Sequence, residues 1–284
     1  MPIADRPGQS PSMRQRSIGC GTIAGVRLSA VDYGGRGSGI LLLHGLLGNA
    51  ATWASTAAWL TADGRVVALD ARGHGASAKP DGPYHRTARV GDAAAAVRQL
   101  GLAPAVLIGH SMGAVTAWQL AGDEPDLVRG IVIGDMAAVQ PDTMPWWRSW
   151  IADWPVPFPD LAAVRAYFGR EHPADGEYLA RAVRRTTGGL VPQVAPEHAL
   201  ATRASWNDRD LSAELDAVRC PALVVRGAKS EYDRAALEAM ARRLPRGHYA
   251  EVPDAGHLLH LHNPAGWRAV VEPFVAELLR QGGG

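Results

Sequence analysis

Five residues, Gly109-His110-Ser111-Met112-Gly113, stand between the apolar run Ala105-Val106-Leu107-Ile108 and the Ala- and Leu-rich stretch from Ala114 to Leu120. The first flank reads as a buried strand and the second as a helix. A G-x-S-x-G turn between the two lifts a serine hydroxyl off the end of a sheet. So sharp a turn crowds its own backbone, and both 109 and 113 carry Gly, the residue with no Cβ to clash. The pentapeptide alone says little. Its strand–turn–helix setting is what makes Ser111 a candidate nucleophile.

The same strand signature recurs along the chain. Ile40-Leu41-Leu42-Leu43, Val66-Val67-Ala68-Leu69, Ile131-Val132-Ile133 and Leu223-Val224-Val225 are short continuous apolar runs, as expected of strands covered on both faces, and Val26–Val31 is an earlier candidate. Helical patterns fall between them, at 53–60, 86–100, 115–122, 234–244 and 264–279. Alternation of this kind predicts the α/β class, a mostly parallel sheet with helices on both faces and ligands held outside the strands' carboxyl ends. One segment breaks the rhythm. Residues 137–210 show no strand-like run and carry Pro145, Pro155, Pro157 and Pro159 with Trp146, Trp147, Trp150, Trp154 and Trp206. We read it as a helical lid inserted into a core made of residues 17–136 and 211–281. Residues 1–16 read as a disordered tail, and the closing glycines as frayed.

Composition narrows the partners. The chain of 284 residues is 47% hydrophobic and 20% charged, with a formal net charge of +1 and no basic run. Nucleic acid is therefore not expected, because neutralising phosphates takes clustered Lys and Arg. The two cysteines, Cys20 and Cys220, form no C-x-x-C, so a reducing compartment fits. No signal peptide and no stretch of about 18 apolar residues is visible, so neither a membrane span nor membrane attachment is expected and the protein is read as cytoplasmic. The expected partner is a small-molecule substrate; oligomeric state is not readable. No Walker lysine, Rossmann fingerprint or metal-ligand spacing occurs, so no cofactor and no metal are expected.

Three further segments bear on Ser111. His44-Gly45-Leu46-Leu47-Gly48 follows the strand at 40–43, Asp70-Ala71-Arg72-Gly73-His74-Gly75 follows that at 66–69, and Asp254-Ala255-Gly256-His257 precedes the last helix. With G-H-S-M-G they make the chain similar to the α/β-hydrolase fold family, over about residues 25–280, and specifically to serine esterases with a helical lid. In that family the order is Ser, then acid, then His.

The resemblance implies Ser111 as nucleophile, His257 as base, and the backbone N–H groups of Leu46 and Met112 as the oxyanion hole. His44 and Gly45 would touch the substrate. His110 would be structural, and His260 and His262 would line the site or cap the next helix. Asp70 and Arg72 read as a structural turn and ion pair. Many relatives place the acid three residues past the Gly that ends the strand after the lid; here that position is Ser230, which cannot hold an imidazolium. Others place it at the end of the strand entering the lid, where Asp135 follows Ile131–Gly134. A carboxylate there is costly unless it has a partner. Asp135 is the preferred acid and Glu231 the alternative, with Asp233 behind. Trp146, Trp150 and Trp154 share one helix face and read as packing, with Trp150 also facing the substrate site; Trp147, off that stripe, is the better substrate contact. The expected reaction is hydrolysis of a small, largely apolar carboxylic ester through an acyl-serine. Thioesterase, lactonase, amidase or C–C bond hydrolase chemistry would use the same residues. A slow ligand-binding or scaffold protein of this fold is the reading of a different class.

Overall fold

The computed structural model describes residues 16–23 and 25–280. Apart from Arg16, the tail expected over 1–16 lies outside the described residues, as do the closing glycines. Eight strands form one sheet: β1 (Arg16–Ile23), β2 (Val26–Gly34), β3 (Gly39–Leu43), β4 (Arg65–Asp70), β5 (Ala105–His110), β6 (Val128–Gly134), β7 (Ala222–Gly227) and β8 (Gly247–Val252). Their order is β1-β2-β4-β3-β5-β6-β7-β8. Only the β1–β2 and β2–β4 pairings are antiparallel. From β4 onward every neighbour is parallel, which brings the carboxyl ends of β3 to β8 to one edge.

The apolar runs fall where they do because both faces of the sheet are covered. Every residue of β3 and β5 is buried. On one face pack α2 (Arg86–Gln99), α3 (Met112–Asp123) and α8 (Arg234–Arg243), with Trp118 and Leu237 fully buried; on the other pack α1 (Ala54–Leu60) and α9 (Pro264–Arg280), with Trp53, Leu60 and Trp267. β1 and β8 were not foreseen. β1 carries glycines and a register shift between Gly19 and Thr22, and β8 is an edge strand that exposes or half-exposes all but its last residue. Neither one needs a continuous apolar run.

Between β6 and β7 lie α4 (Met144–Ala152), α5 (Leu161–Phe168), α6 (Pro173–Ala180) and α7 (Pro196–Ala204). The sequence predicts a helical segment here, but it also contains two short ladders. Val183–Thr186 pairs with Gly189–Pro192, and Val139–Gln140 pairs with Arg209–Asp210. The second pair joins the two ends of the insertion to each other. These ladders are two to four residues long, too short to leave a periodic signal. No described helix is long and apolar enough to cross a membrane.

The glycines flanking Ser111 are set by backbone proximity. A Cβ on Gly113 would lie 2.0 Å from the carbonyl oxygen of Leu43 in β3, and one on Gly109 would lie 2.4 Å from the carbonyl of Gly113. Neither neighbour is a side chain that can turn away. Gly113→Ala is therefore expected to cost about 3 kcal/mol or more, at the upper end for overpacking. Urea unfolding of the purified variant checks this; a midpoint equal to that of the parent would contradict it.

Candidate active site

The end of β5 turns directly into α3, and Ser111 at the corner has φ 51° and ψ −115°. A non-glycine residue with positive φ is strained, and it persists here because its surroundings hold it. The Ser111 amide donates to the carbonyl of Gly134 at the end of β6, at 2.9 Å. One residue further, Asp135 also takes positive φ (46°), and its amide donates to Val225 of β7 at 2.8 Å. The ends of β5, β6 and β7 are thus stitched edge to edge, which puts the nucleophile candidate one strand away from the acid candidate.

The Asp135 side chain is fully buried and accepts three hydrogen bonds. Oδ1 takes the Gly227 amide at 2.9 Å, and Oδ2 takes the Ser230 hydroxyl at 2.6 Å and Nδ1 of His257 at 2.8 Å. The carboxylate cannot donate, so Nδ1 of His257 carries the proton and Nε2 is left as the acceptor. Glu231, the alternative, makes no hydrogen bond to His257 and acts on it only through its charge. Asp233 caps α8 by accepting from Ala235. Ser230, set aside because it cannot serve as an acid, stands in the acid's usual place and donates to the acid that replaced it.

His257 keeps 35% of its side chain exposed and rests on a second histidine. Its carbonyl accepts from Nε2 of His110 at 2.9 Å, and the His110 ring sits 4.8 Å from it and 5.0 Å from His260. Burial holds His110 well below the usual histidine range and pushes His260 down to about 3, so both stay neutral near pH 7. His260 stacks on Trp53 at 4.5 Å, beneath the site. For His257 burial also pulls downward, but the bond to Asp135 and the charges of Asp135, Glu231 and Asp175 outweigh it, and the net shift is upward.

The Gly-rich loop after β3 is held by its own histidine. Nδ1 of His44 donates to the carbonyl of Gly45 at 2.8 Å, and its Nε2 accepts from the Ala71 amide at 3.0 Å. Both nitrogens are used and the ring is 1% exposed, so the direct polar contact with substrate expected of His44 is not available to it. A second donor to the Gly45 carbonyl was not foreseen. The hydroxyl of Tyr178 in α6 reaches it at 3.0 Å, and the Leu46 carbonyl at 3.2 Å. In a trans peptide the C=O and N–H point oppositely. Clamping the Gly45 carbonyl therefore aims the Leu46 N–H the other way. The amides of Leu46 and Met112 have no acceptor among the described residues.

Arg72 does pair, but with Asp92 through both oxygens (2.6 and 2.7 Å) and not with Asp70. Asp70 instead accepts from the Ala50 and Ala76 amides. Trp147 and Trp150 belong to a ring cluster with Trp146 and Trp154, edge-to-face except for the stacked Trp146–Trp150 pair, and no ring contact joins them to His257. The stripe is not uniform packing, since Trp146 is 57% exposed and Trp154 buried. Both ring nitrogens of His262 are engaged: it accepts the Gly256 amide on Nδ1 and meets Asp175 of α6 through Nε2 at 2.8 Å. His172, Asp175 and His262 bring ligand-type atoms within 4.8 Å of one another, a cluster invisible in the spacing. Nδ1 of His172 likewise accepts a backbone amide, from Ala174. In each neutral ring Nε2 then carries the proton and has no lone pair for a metal.

Comparison with known proteins shows the family. Residues 40–270 match the Alpha/beta hydrolase family, and the chain belongs to it. It is 32% identical over 238 residues to the 2-(acetamidomethylene)succinate hydrolase of Mesorhizobium japonicum, covering 81% of this chain and 85% of that one. It is 32% identical over 260 residues to the sn-1-specific diacylglycerol lipase ABHD11 of Mus musculus, covering 84% and 80%. The crystal structure of E-2-(acetamidomethylene)succinate hydrolase superposes with a TM-score of 0.81 at 27% identity, over 92% of this chain and 98% of that one. The protein is an α/β hydrolase enzyme.

Two measurements test the acid–histidine pair. Titration of His257 followed by NMR is expected to give a midpoint above the ordinary 6.5, and Asp135→Asn to bring it below 6.5, because burial, the largest influence, is then opposed only by the weaker charges of Glu231 and Asp175. The pairing stabilises the fold fully below pH 6.5, and that contribution fades as pH rises through the folded-state pKa. An unchanged midpoint in Asp135→Asn would refute the assignment.

Proposed function

We propose that this protein is a serine hydrolase acting on carboxylic acyl compounds, esters or amides. The observation that carries the reading is the Asp135–His257 hydrogen bond at the sheet edge where Ser111 is held at positive φ. Nε2 of His257 takes the Ser111 hydroxyl proton as Oγ bonds to the acyl carbon. The carbonyl oxygen becomes an oxyanion held by the Leu46 and Met112 amides, donors fixed before the reaction. Collapse breaks the acyl–leaving-group bond, and His257 passes its proton to the departing oxygen or nitrogen. Water, deprotonated by His257, then attacks the acyl-serine and releases the acid. The relatives' names span a succinate derivative carrying an acetamido group and a diacylglycerol, so the bond type is not narrowed by likeness. Thioester, lactone and C–C hydrolysis remain variants of the same steps.

We also propose that residues 137–210 act as a lid. Tyr178 on the Gly45–Leu46 peptide, Asp175 on His262 and Gln140 beside Tyr232 dock this segment over the sheet edge. A lid excludes water from the reacting carbonyl. Tyr178 makes its position part of the oxyanion loop.

Ser111→Ala is expected to lower hydrolysis of an acyl-ester panel by about 10³-fold or more. A fluorophosphonate should label the parent and not the variant. A parent that neither labels nor turns over would favour the ligand-binding or scaffold reading. Activity should fall as pH drops through a value above 6.5, because the base must be neutral. In the Asp135→Asn background, expected to be about 10²- to 10⁴-fold slower, Ser230→Asp should restore part of the rate, since residue 230 already touches the acid's place. Tyr178→Phe should lower kcat about tenfold with little change in KM, the mark of a donor used only in the transition state.

A further inference from the structure

Beside the oxyanion loop lies a buried charge with no counter-ion. Arg89, in the first turn of α2, is 4% exposed, and none of its three guanidinium nitrogens has a hydrogen-bond partner. It lines a cavity of about 20 Å³ with His44, Met112, Gly113 and Thr116, the residues of the loop and of the turn that carries Ser111. Asp92, on the same cavity, is occupied through both oxygens by Arg72. Glu214 attracts Arg89 from longer range, while Arg72 and Arg86 repel it. Burial lowers its pKa to about 9, which still leaves it charged near pH 7.

A second buried arginine shares a ring with Arg89, outside the residues that line the cavity. Arg89 lies 4.7 Å from the ring centre of Trp206, and Arg203 of α7 lies 5.5 Å from the same ring. Arg203 is 5% exposed; Nη2 donates to Thr143 and Gln140, and Nη1 has no partner. Among the described residues neither arginine forms an ion pair. Asp142 and Glu231 attract Arg203 from longer range, as Glu214 does Arg89, but two buried guanidinium groups with no carboxylate in direct contact are unfavourable unless a ligand supplies one.

We propose that Arg89 anchors a carboxylate on the substrate, with Arg203 as a second positive edge, so that the acyl compound cleaved is itself an acid. This rests on the serine-hydrolase reading above and names its substrate class. The guanidinium fork suits a carboxylate, which it grips through two parallel bonds. The cavity abuts Met112, whose amide would hold the oxyanion, so carboxylate and reacting carbonyl belong to one short acyl chain. The space has room for about one water, and a carboxylate needs more. Docking therefore turns Trp206 aside, which couples substrate charge to the inserted segment. An apolar ester, expected from the sequence, would leave both charges unanswered.

Monoethyl succinate and ethyl 4-methylpentanoate are nearly isosteric and differ by one charge; their hydrolysis is followed by pH-stat. The parent is expected to prefer the acidic ester by about 30-fold or more in kcat/KM, the scale of a desolvated charge pair. Arg89→Met should collapse that ratio through KM, and Arg89→Lys should retain part of it. Succinate should bind Ser111→Ala by calorimetry and fail to bind the Ser111→Ala/Arg89→Met variant. A ratio near one in the parent with no succinate binding overturns the proposal. So does an unchanged ratio in Arg89→Met, which would leave the arginine as a cation–π prop for Trp206. If Ser111→Ala still hydrolyses the esters, the serine mechanism fails, while succinate binding to that variant still reports on Arg89 alone.

Discussion

A carboxylate with no exposed surface organises this molecule. Asp135 survives burial because three donors converge on it, from the β7 backbone, the loop after β7, and the loop after β8. They arrive from the ends of two strands, β7 and β8, onto an acid that follows a third, so the convergence exists only if β6, β7 and β8 are parallel and in register. The positive φ at Asp135 and at Ser111 is the local strain that this arrangement sustains. Remove the carboxylate and the Ser230 hydroxyl, the Gly227 amide and the histidine all lose an acceptor together.

The inserted segment is bound to that edge by polar contacts aimed at backbone. Tyr178 addresses two successive carbonyls, and Asp175 reaches through His262 to the Gly256 amide, one residue before His257. Gly48 shows how tightly the first contact is drawn, since a Cβ there would come within 2.1 Å of the Tyr178 hydroxyl. The glycines of the loop after β3 therefore answer to a side chain more than a hundred residues away as well as to their own turn.

Strands buried on both faces were legible because continuous apolar runs leave a local trace, and the Ser111 turn because two glycines and a strand–helix change coincide. His257 and Asp135 were legible through order and through the cost of a carboxylate after a buried strand. What escaped has a common cause. β8, the short ladders of the insertion, the Tyr178 clamp, the Arg72–Asp92 pair and the unpaired Arg89 depend on segments meeting from far apart. Composition near each residue carries no sign of it. Arg89 reads as an ordinary surface arginine of a helix until Trp206 covers it.

The 2.6 Å contact between Ser230 and Asp135 bears on how such a site changes over evolutionary time. Acids at both positions at once would bring two carboxylates within hydrogen-bond distance of each other, and only one could be ionised near neutrality. The intermediate sequence would hold an extra proton beside the histidine and lose the charge that steadies it. A lineage moving its acid from one strand end to the other thus crosses a poorly functioning state, unless the first carboxylate leaves before the second arrives. A hydroxyl at 230 beside an acid at 135 works as a lock, because moving the acid to 230 requires two changes where one does harm.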